Sequence, residues 1–338
     1  MHKVTIVLPV YNGEKYVAET IQSILKQTFT DYELLIIDDA STDGSKSVIS
    51  SFTDSRIKYI KNETNLGSIG APLKGMKMSQ SEYIARVDQD DIWLPTKLEK
   101  QMLIMDSNPA IGICGTSIEL FGNKMGVRIF PLTNEHLKVG FLFFCCMSHP
   151  SVVFRKSFLI QTGVTYNEDY RLADDYKMWI DCIDLTQIYN IPEPLVLYRQ
   201  HDEQICSPTN FHKQFLVQNR IRLEMLERIS SNFSQEEKDF HINQFVDGKI
   251  RSIDDYKKFK KWVNRICLQN EKSGRYIDSN ILQTDLKYHL QIFLKQYYID
   301  RFFKQMNLIS LLQYFFSFVW IYLSVKKNLS IARQCLFK

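Results

Sequence analysis

Short apolar runs alternate with helical patterns along the first 105 residues of the chain. Four runs of mostly β-branched and apolar residues have the length of buried strands, and they cover residues 4–10, 32–37, 57–60 and 83–87. Apolar residues at helical spacing predict helices over residues 14–27, 45–52, 65–78 and 95–105. Strands that alternate with helices predict an α/β fold, in which helices flank a mostly parallel sheet on both faces.

The pattern changes twice after this region. Residues 211–306 predict helices rich in Lys, Gln and Leu. Before them, strand-like pieces stand between irregular stretches, at residues 111–117, 151–154 and 195–198. We therefore predict a first domain over residues 1–210, a helical C-terminal region over 211–306, and a separate tail over 307–338.

The tail contains an uncharged segment, from Leu308 to Val325. Its length is at the lower limit for a membrane span. Its polar residues fall within one narrow stripe of the helical wheel, and Lys and Arg follow it. Such a basic amphipathic helix could lie on an anionic membrane face, span a membrane, or pack against the first domain or a second subunit of a homo-oligomer. We favour the membrane surface.

Charge is distributed unevenly along the chain. The net charge of +4 combines −6 over residues 1–210 with +10 over residues 211–338. An acidic front suits cation chemistry and a basic back suits an anionic partner. No nucleic-acid-binding module is recognisable, so nucleic acid is not the expected partner.

The cysteines and the N-terminus bear on the compartment. The seven cysteines form no C-x-x-C pair, which disfavours zinc ribbons and thioredoxin-like sites and favours free thiols in a reducing compartment. The N-terminus lacks the pattern of a secretory signal, and no run before residue 300 is long enough to span a bilayer. We expect a cytoplasmic protein.

Acidic residues gather at the predicted strand ends. Asp38 and Asp39 follow the second strand, and Asp88, Asp90 and Asp91 follow the fourth. The carboxyl ends of parallel strands meet at one edge of a sheet, so these side chains are expected to lie close together and to repel one another. Capping and turn formation could account for individual members, but Mg²⁺ or Mn²⁺ with a phosphate ligand accounts for the set. No Walker A loop or G-x-G-x-x-G motif is present, which disfavours P-loop enzymes and dinucleotide dehydrogenases.

Four motifs in this region, in this order, resemble those of family 2 inverting glycosyltransferases with the GT-A fold, of the kind that build bacterial surface polysaccharides. They are TIVLPVYN at residues 5–12, DDASTDGS at 38–45, NLG at 65–67 and DQDD at 88–91. The resemblance covers residues 3–207. It implies a Rossmann-like GT-A catalytic domain and transfer of a sugar from a nucleotide-sugar donor.

The resemblance also implies roles for residues of the donor site. Pro9 and Tyr11 correspond to the floor under the nucleotide base, where Tyr11 can stack. In the Asp38-Asp39 pair, Asp39 corresponds to the acceptor of a hydrogen bond from the base. Asp88, the first residue of the D-x-D motif, corresponds to the position near the ribose and the sugar.

A metal site is implied as well. Asp90 corresponds to the ligand of the cation that bridges the diphosphate, and Asp91 is a second candidate. The segment Tyr198-Arg199-Gln200-His201 resembles an R-x-H element of the family. In that element Arg199 would contact phosphate and His201 would bind the metal.

Inversion requires a carboxylate that takes the proton of the acceptor hydroxyl. Asp174 and Asp175 resemble the acidic pair of the family, with Asp in place of the usual Glu at position 174. Asp175 is the predicted base, although both acids could simply favour a helix N-terminus.

Three further features flank these motifs. His149-Pro150-Ser151 resembles an acceptor-side loop, and Trp93 and Trp179 could line sugar subsites or pack in the core.

These features together predict a Mn²⁺- or Mg²⁺-dependent inverting glycosyltransferase at the inner face of the cell membrane. It would move a hexose or N-acetylhexosamine, most simply from a UDP-sugar, to a hydroxyl of a glycan or glycolipid acceptor. The alternatives are a nucleotidyltransferase that acts on sugar phosphates and a non-catalytic subunit that binds a nucleotide sugar.

Overall fold

The structure is a computed structural model that describes residues 2–202 and 210–304. One mixed sheet dominates the first part of the chain. Its strands are β1 (Val4–Val10), β2 (Tyr32–Asp38), β3 (Ile57–Lys61), β4 (Tyr83–Arg86), β5 (Ile92–Trp93), β6 (Ile111–Gly122), β7 (Gly126–Arg128), β8 (Val153–Arg155) and β9 (Gln187–Gln200). The order across the sheet is β3-β2-β1-β4-β8-β6-β9-β5, and β7 pairs with β6.

Helices connect or follow these strands. They are α1 (Val17–Leu25), α2 (Ser45–Ser50), α3 (Gly67–Met78), α4 (Lys97–Ser107), α5 (Asn134–Gly140), α6 (Lys156–Thr162), α7 (Asp174–Cys182), α8 (Phe211–Ile229), α9 (Gln235–Phe240), α10 (Ile253–Lys272) and α11 (Ser279–Lys304). The α/β class, the alternation of elements over the first 105 residues and the helical character of the described part of 211–306 are therefore as predicted.

The sheet is parallel in one half and mixed in the other. β1 pairs in parallel with β2 and β4, and β2 pairs in parallel with β3. β8 then runs antiparallel to both β4 and β6, whereas β9 runs parallel to β6. The expectation of a mostly parallel sheet describes the first half, and β8 introduces the change of direction.

The strand predicted at residues 195–198 is the end of a much longer one, because β9 covers 14 residues. The polar and proline residues of the segment NIPEP, at positions 190–194, interrupt the apolar alternation, so the sequence pattern does not predict the full strand. The register shifts beside these residues, at Thr116/Ser117 and at Ser117/Ile118, so the pairing with β6 absorbs the irregularity.

The core lies on both faces of the central strands. Ile6 and Leu8 of β1 join Ile21 and Ile24 of α1 in one buried cluster. On the opposite face, β2 contributes to a smaller cluster that consists of Leu35, Ile37 and Ala71, with Ile60 packed against it. Burial on both faces explains why β1 and β2 are continuous apolar runs.

The described residues fall into two compact units, one that ends at Arg222 and one that begins at Leu223. In the second unit, α10 and α11 pack against each other, and Trp262 donates a hydrogen bond from Nε1 to the buried His241. Lys257, Lys258, Lys260 and Lys261 are exposed on α10.

The predicted tail over 307–338, with its uncharged segment 308–325, lies outside the described residues. Within residues 2–202 and 210–304, none of the helices has the length and apolarity required to cross a membrane.

Close packing of α3 on the sheet gives a testable expectation at Gly75. A Cβ at this position would lie 2.5 Å from Val7 Cγ1 and 3.2 Å from Ile37 Cγ1. Gly75→Ala would stabilise an exposed helix, but here overpacking should lower the free energy of unfolding by about 1–3 kcal/mol. Urea unfolding of this variant and of Lys77→Ala, an exposed control on the same helix, measures the effect. A variant as stable as the wild type would show that the helix shifts freely on the sheet.

Candidate active site

The two acidic motifs lie on either side of β1 at the carboxyl edge of the sheet. Asp38 is the last residue of β2 and pairs with Val10, while the segment 88–91 follows β4 on the other side of β1. Asp39 donates its backbone N–H to Val10 O at 2.7 Å, which holds the second motif against the end of β1. The predicted meeting of the two motifs at one edge is therefore observed.

Asp38 is fully buried and bonded within the protein. Its Oδ1 accepts the backbone N–H of Ser41 at 2.8 Å, and its Oδ2 accepts the hydroxyl of Tyr59. Burial and this carboxylate raise the pKa of Tyr59 well above its usual range, so the phenol stays protonated as a donor. Both oxygens of Asp38 thus shape the loop after β2.

Asp39 organises the next loop. Its Oδ1 accepts the Asn62 side-chain amide at 2.7 Å and the Leu66 N–H at 2.8 Å, and its Oδ2 accepts the Gly67 N–H at 2.8 Å. The NLG motif is thereby tied to the DDASTDGS motif. Gly67 has φ +79°, a conformation that favours glycine.

Pro9 and Tyr11 lie at the carboxyl end of β1. Pro9 is partly exposed, and 49% of the Tyr11 surface is accessible, so an aromatic face is open beside the acidic motifs. The backbone of Tyr11 is held by Gln89, which accepts its N–H at 2.8 Å and donates to its carbonyl at 3.1 Å. Gln89 is the variable position of the D-x-D motif, and sequence reasoning did not assign it a role.

Asp88 is paired with a buried arginine that the sequence analysis also missed. Arg86 NH2 lies 2.7 Å from Asp88 Oδ1, and Arg86 is 5% exposed. Arg86 is the last residue of β4, so the strand places a positive charge under the D-x-D loop. Its position after apolar Tyr83-Ile84-Ala85 was the available signal, because a cation at a buried strand end requires a partner.

Asp90 and His201 come together across 111 residues of sequence, with His201 Nε2 and Asp90 Oδ2 at 2.8 Å. The backbone N–H of Arg199 donates to Asp91 Oδ1 at 2.9 Å, and its Nε donates to the carbonyl of Asp90 at 2.8 Å. These bonds fix the end of β9 on the D-x-D loop. The structure therefore brings Asp90 and His201 into contact and ties Asp91 to the end of β9, and their role as metal ligands stays a prediction.

The guanidinium of Arg199 has partners within the protein. It forms an ion pair with Glu19 and lies between the rings of Tyr16 and Phe121, 4.5 Å from each centroid. This geometry makes Arg199 a clamp between β9 and α1, and its contact with phosphate remains a prediction.

The donor set suits a hard cation that is completed by other ligands. Among the described residues, no group of three or more His, Cys, Asp or Glu side chains is arranged as a ready-made metal centre. Asp91 Oδ2 is buried and accepts no hydrogen bond in the described part of the chain, and it lies in the same acidic cluster as Asp90. Two or three protein oxygens and nitrogens fit a Mg²⁺ or Mn²⁺ ion that keeps waters and takes phosphate ligands.

Asp174 and Asp175 are the first two residues of α7. Burial raises the pKa of Asp174 to about 6, and burial together with Asp174 raises the pKa of Asp175 to about 7. Asp175 Oδ1 accepts the backbone N–H of Tyr176 at 2.7 Å. Asp88 contributes to both raised pKa values, so this acidic pair and the D-x-D loop influence each other electrostatically.

His149, in the predicted acceptor-side loop, and the two tryptophans have partners inside the protein. His149 Nε2 lies 2.6 Å from the Tyr166 hydroxyl, and burial lowers the pKa of His149 well below its usual range. Trp93 is 1% exposed and donates from Nε1 to Pro150 O, and Trp179 is fully buried against Phe154. Both tryptophans pack in the core, which was one of the two alternatives.

Unusual backbone conformations accompany these motifs. Asn12, Ala40 and Leu172 have φ of +49°, +63° and +81°, which is uncommon for residues other than glycine. They stand next to TIVLPVY, to Asp38-Asp39 and to the 174–175 pair. Backbone strain of this kind concentrates at functional sites.

Comparison with known proteins gives the family. Residues 5–158 match the sequence profile described as Glycosyl transferase family 2. An uncharacterized glycosyltransferase of Haemophilus influenzae is 30% identical over 323 residues, which cover 90% of this chain and 98% of the relative. The Escherichia coli protein WfgD, named UDP-Glc:alpha-D-GlcNAc-diphosphoundecaprenol beta-1,3-glucosyltransferase, is 28% identical over 258 residues, covering 76% of this chain and 98% of its own length.

The fold is shared with a solved structure that binds a nucleotide sugar. The structure of S. aureus TarS 1–349 in complex with UDP-GlcNAc superposes with a TM-score of 0.54 at 17% identity and covers 90% of this chain and 92% of TarS 1–349. The GT-A fold expected from the motifs is therefore confirmed. The nucleotidyltransferase and the non-catalytic subunit lose their support, because this chain belongs to glycosyltransferase family 2 and is a glycosyltransferase.

Proposed function

We propose that the enzyme transfers a hexose or N-acetylhexosamine, with inversion, from a UDP-sugar to a hydroxyl of a lipid-linked glycan during surface polysaccharide synthesis. The name of WfgD specifies a UDP-Glc donor and a diphosphoundecaprenol-linked acceptor. A second relative, Bacillus subtilis TuaG, is named as a putative teichuronic acid biosynthesis glycosyltransferase and is 35% identical over 118 residues. The WfgD name supports this donor and acceptor chemistry, and the TuaG name supports a role in polymer biosynthesis.

One observation carries the proposal: a carboxyl pair with raised pKa values stands at the start of α7, in electrostatic contact with the D-x-D loop. Inverting transfer needs a base on the acceptor side and an acidic, cation-binding site on the donor side. The two needs are met by Asp175 and by the Asp88–Asp91 segment.

On the donor side, the open ring of Tyr11 supports stacking of the base above Pro9. Asp39 is rigidly held and retains lone pairs for an N–H of the base, whereas Asp38 shapes the loop beneath it. Asp88, oriented by Arg86, is suited to accept hydrogen bonds from ribose or sugar hydroxyls.

On the diphosphate side, we assign Asp90, His201 and Asp91 to hold Mn²⁺ or Mg²⁺. The bound cation supplies charge stabilisation for the departing nucleoside diphosphate. The contact between His201 Nε2 and Asp90 Oδ2 places both side chains where they would hold a cation, and the backbone N–H of Arg199 fixes the end of β9 on Asp91.

On the acceptor side, Asp175 removes the proton of the attacking hydroxyl. Its pKa near neutral pH matches that task, because a base works best when its pKa lies close to the operating pH. The membrane partner belongs to the same proposal: a lipid-linked acceptor and a basic tail would bring the enzyme to the anionic inner face of the cell membrane.

Replacement of the metal ligand Asp90 gives the first test. Asp90→Asn should weaken Mn²⁺-dependent binding of UDP-sugar by at least roughly tenfold, because the carboxylate that faces His201 is lost. Titration calorimetry of donor with and without Mn²⁺ measures the change, and Asp31→Asn, at an exposed pair with His2, serves as the control. Equal metal dependence in the variant and the wild type would remove Asp90 from the metal site.

Replacement of the base gives the second test. Asp175→Asn should retain donor binding and lower the rate of transfer by about 10²–10⁴-fold, because the acceptor proton has no carboxylate to receive it. The control on the same helix is Asp181→Asn, which breaks an ion pair with Lys177. Transfer at the wild-type rate would show that another group is the base.

The pKa of Asp175 predicts opposite pH effects on rate and stability. Transfer should fall about tenfold per pH unit below 7, because the base becomes protonated. Because its pKa is raised, Asp175 of the folded protein keeps its proton up to about pH 7, whereas in the unfolded chain it loses that proton at about pH 4. Proton binding therefore stabilises the folded state at low pH, and this stabilisation is lost as the pH rises from about 4 through 7. Asp175→Asn should therefore have a higher Tm than wild type at pH 8, with a smaller difference at pH 5. A Tm difference that does not vary with pH would contradict the raised pKa.

A further inference from the structure

A thiol lies beside the proposed base. Cys145 follows α5 in sequence, and its side chain is partly exposed, whereas the neighbouring Cys146 is buried. Cys145 Sγ lies 3.8 Å from Asp175 Oδ2 and 3.2 Å from the carbonyl oxygen of Met147. Neither a motif nor a spacing in the sequence indicated this contact.

The two oxygens of Asp175 have different surroundings. Oδ1 accepts the backbone N–H of Tyr176 and is therefore fixed by α7 itself. Oδ2 is the oxygen that faces Cys145. A proton from an acceptor hydroxyl would most readily reach Oδ2, so the thiol borders the reacting atom.

The thiol is held in its protonated form. Burial and the adjacent Asp175 carboxylate raise the pKa of Cys145 well above its usual range. At neutral pH the sulfur therefore carries a hydrogen, which it can donate to the carboxylate or to Met147 O. A thiolate at this place would repel the base instead of bonding to it.

We propose that Cys145 is a positioning residue for the base: its S–H orients Asp175 Oδ2 and favours the ionised carboxylate that accepts the proton. This inference rests on the proposed role of Asp175 in transfer. A donor at Oδ2 also keeps the carboxylate from turning away when the acceptor site is empty, so that the oxygen is already in place when the hydroxyl arrives.

Other groups around Asp175 also change its pKa, some upward and some downward. Asp174 on the same helix and Asp88 on the D-x-D loop raise its pKa, and the Tyr166 hydroxyl stays protonated nearby. The Tyr176 N–H and the Cys145 thiol lower it. Because Cys145 is a side-chain donor, its contribution can be removed without changing the charge of the site.

The test is the pH profile of transfer in Cys145→Ala and Cys145→Ser, measured with purified full-length enzyme, Mn²⁺, UDP-sugar and a lipid-linked acceptor. In the alanine variant the acidic limb should move upward by about 0.5 pH unit, which lowers kcat at pH 6 roughly threefold and leaves the KM for the donor unchanged. The serine variant keeps a donor and should retain a profile close to that of the wild type. Cys182→Ala, which removes a buried thiol from the far end of α7, is the matched control.

Two outcomes overturn the inference. One is an acidic limb in Cys145→Ala that coincides with that of the wild type, and the other is an equal shift in Cys182→Ala. If the alanine variant does not fold, Cys145→Val fills the site with an apolar side chain without a donor and replaces it in the comparison. If Asp175→Asn still transfers, the proposed base is wrong. If Asp175→Asn is inactive and the Cys145→Ala profile is unchanged, only the positioning role fails.

Discussion

Repulsion among carboxylates at one edge of the sheet is the constraint on which the site depends. The edge is acidic because β2 and β4 both run into acidic motifs and both pair with β1. Each negative charge must therefore be matched by a donor or a cation. The protein supplies donors for several of them. Asp38 accepts from the Ser41 N–H and the Tyr59 hydroxyl, and Asp39 accepts from N–H groups of the next loop. Asp88 pairs with Arg86, and one oxygen of Asp91 accepts the Arg199 N–H.

The distribution of these donors divides the carboxylates into two groups. One group is bonded within the protein and shapes the site, and the other faces the proposed ligands. Asp38 and Asp39 are almost saturated by internal donors, and they fix two loops in conformations that include Ala40 at positive φ. The Asp90 carboxylate contacts the imidazole of His201. In the proposed function, a cation and a diphosphate would complete this cluster, because the protein donors are already bonded to the other carboxylates.

Much of the fold was predictable because local patterns and global topology agree. The apolar runs at residues 4–10 and 32–37 are buried on both faces, and the carboxyl-edge rule then brings their acidic ends together. The length of β9 was not predictable, because its polar and proline positions interrupt the alternation while pairing with β6 continues through a register shift. In the site, the motif residues were singled out, but Gln89 and Arg86 were not. Gln89 acts on Tyr11 at the end of another strand, and the pairing of Arg86 with the nearby Asp88 follows only once its burial is known. Cys145 could not be identified either, because 30 residues separate it from Asp175.

The same residue type performs opposite tasks on the two sides of this site, and the environment decides which. On the donor side, burial raises the pKa of Asp88 and of Asp91, while Arg86 and the Arg199 N–H act against that shift, so the cation that we propose there would favour the ionised form. On the acceptor side, α7 presents Asp174 and Asp175 at its N-terminus, where the helix dipole favours ionised carboxylates. Burial and the repulsion between the two acids outweigh that effect and raise the pKa of Asp175 to about 7. Burial thus raises carboxyl pKa values on both sides of the site. In the proposed mechanism a bound cation would keep the donor-side aspartates ionised, whereas Asp175 would accept the proton at a pKa near neutral.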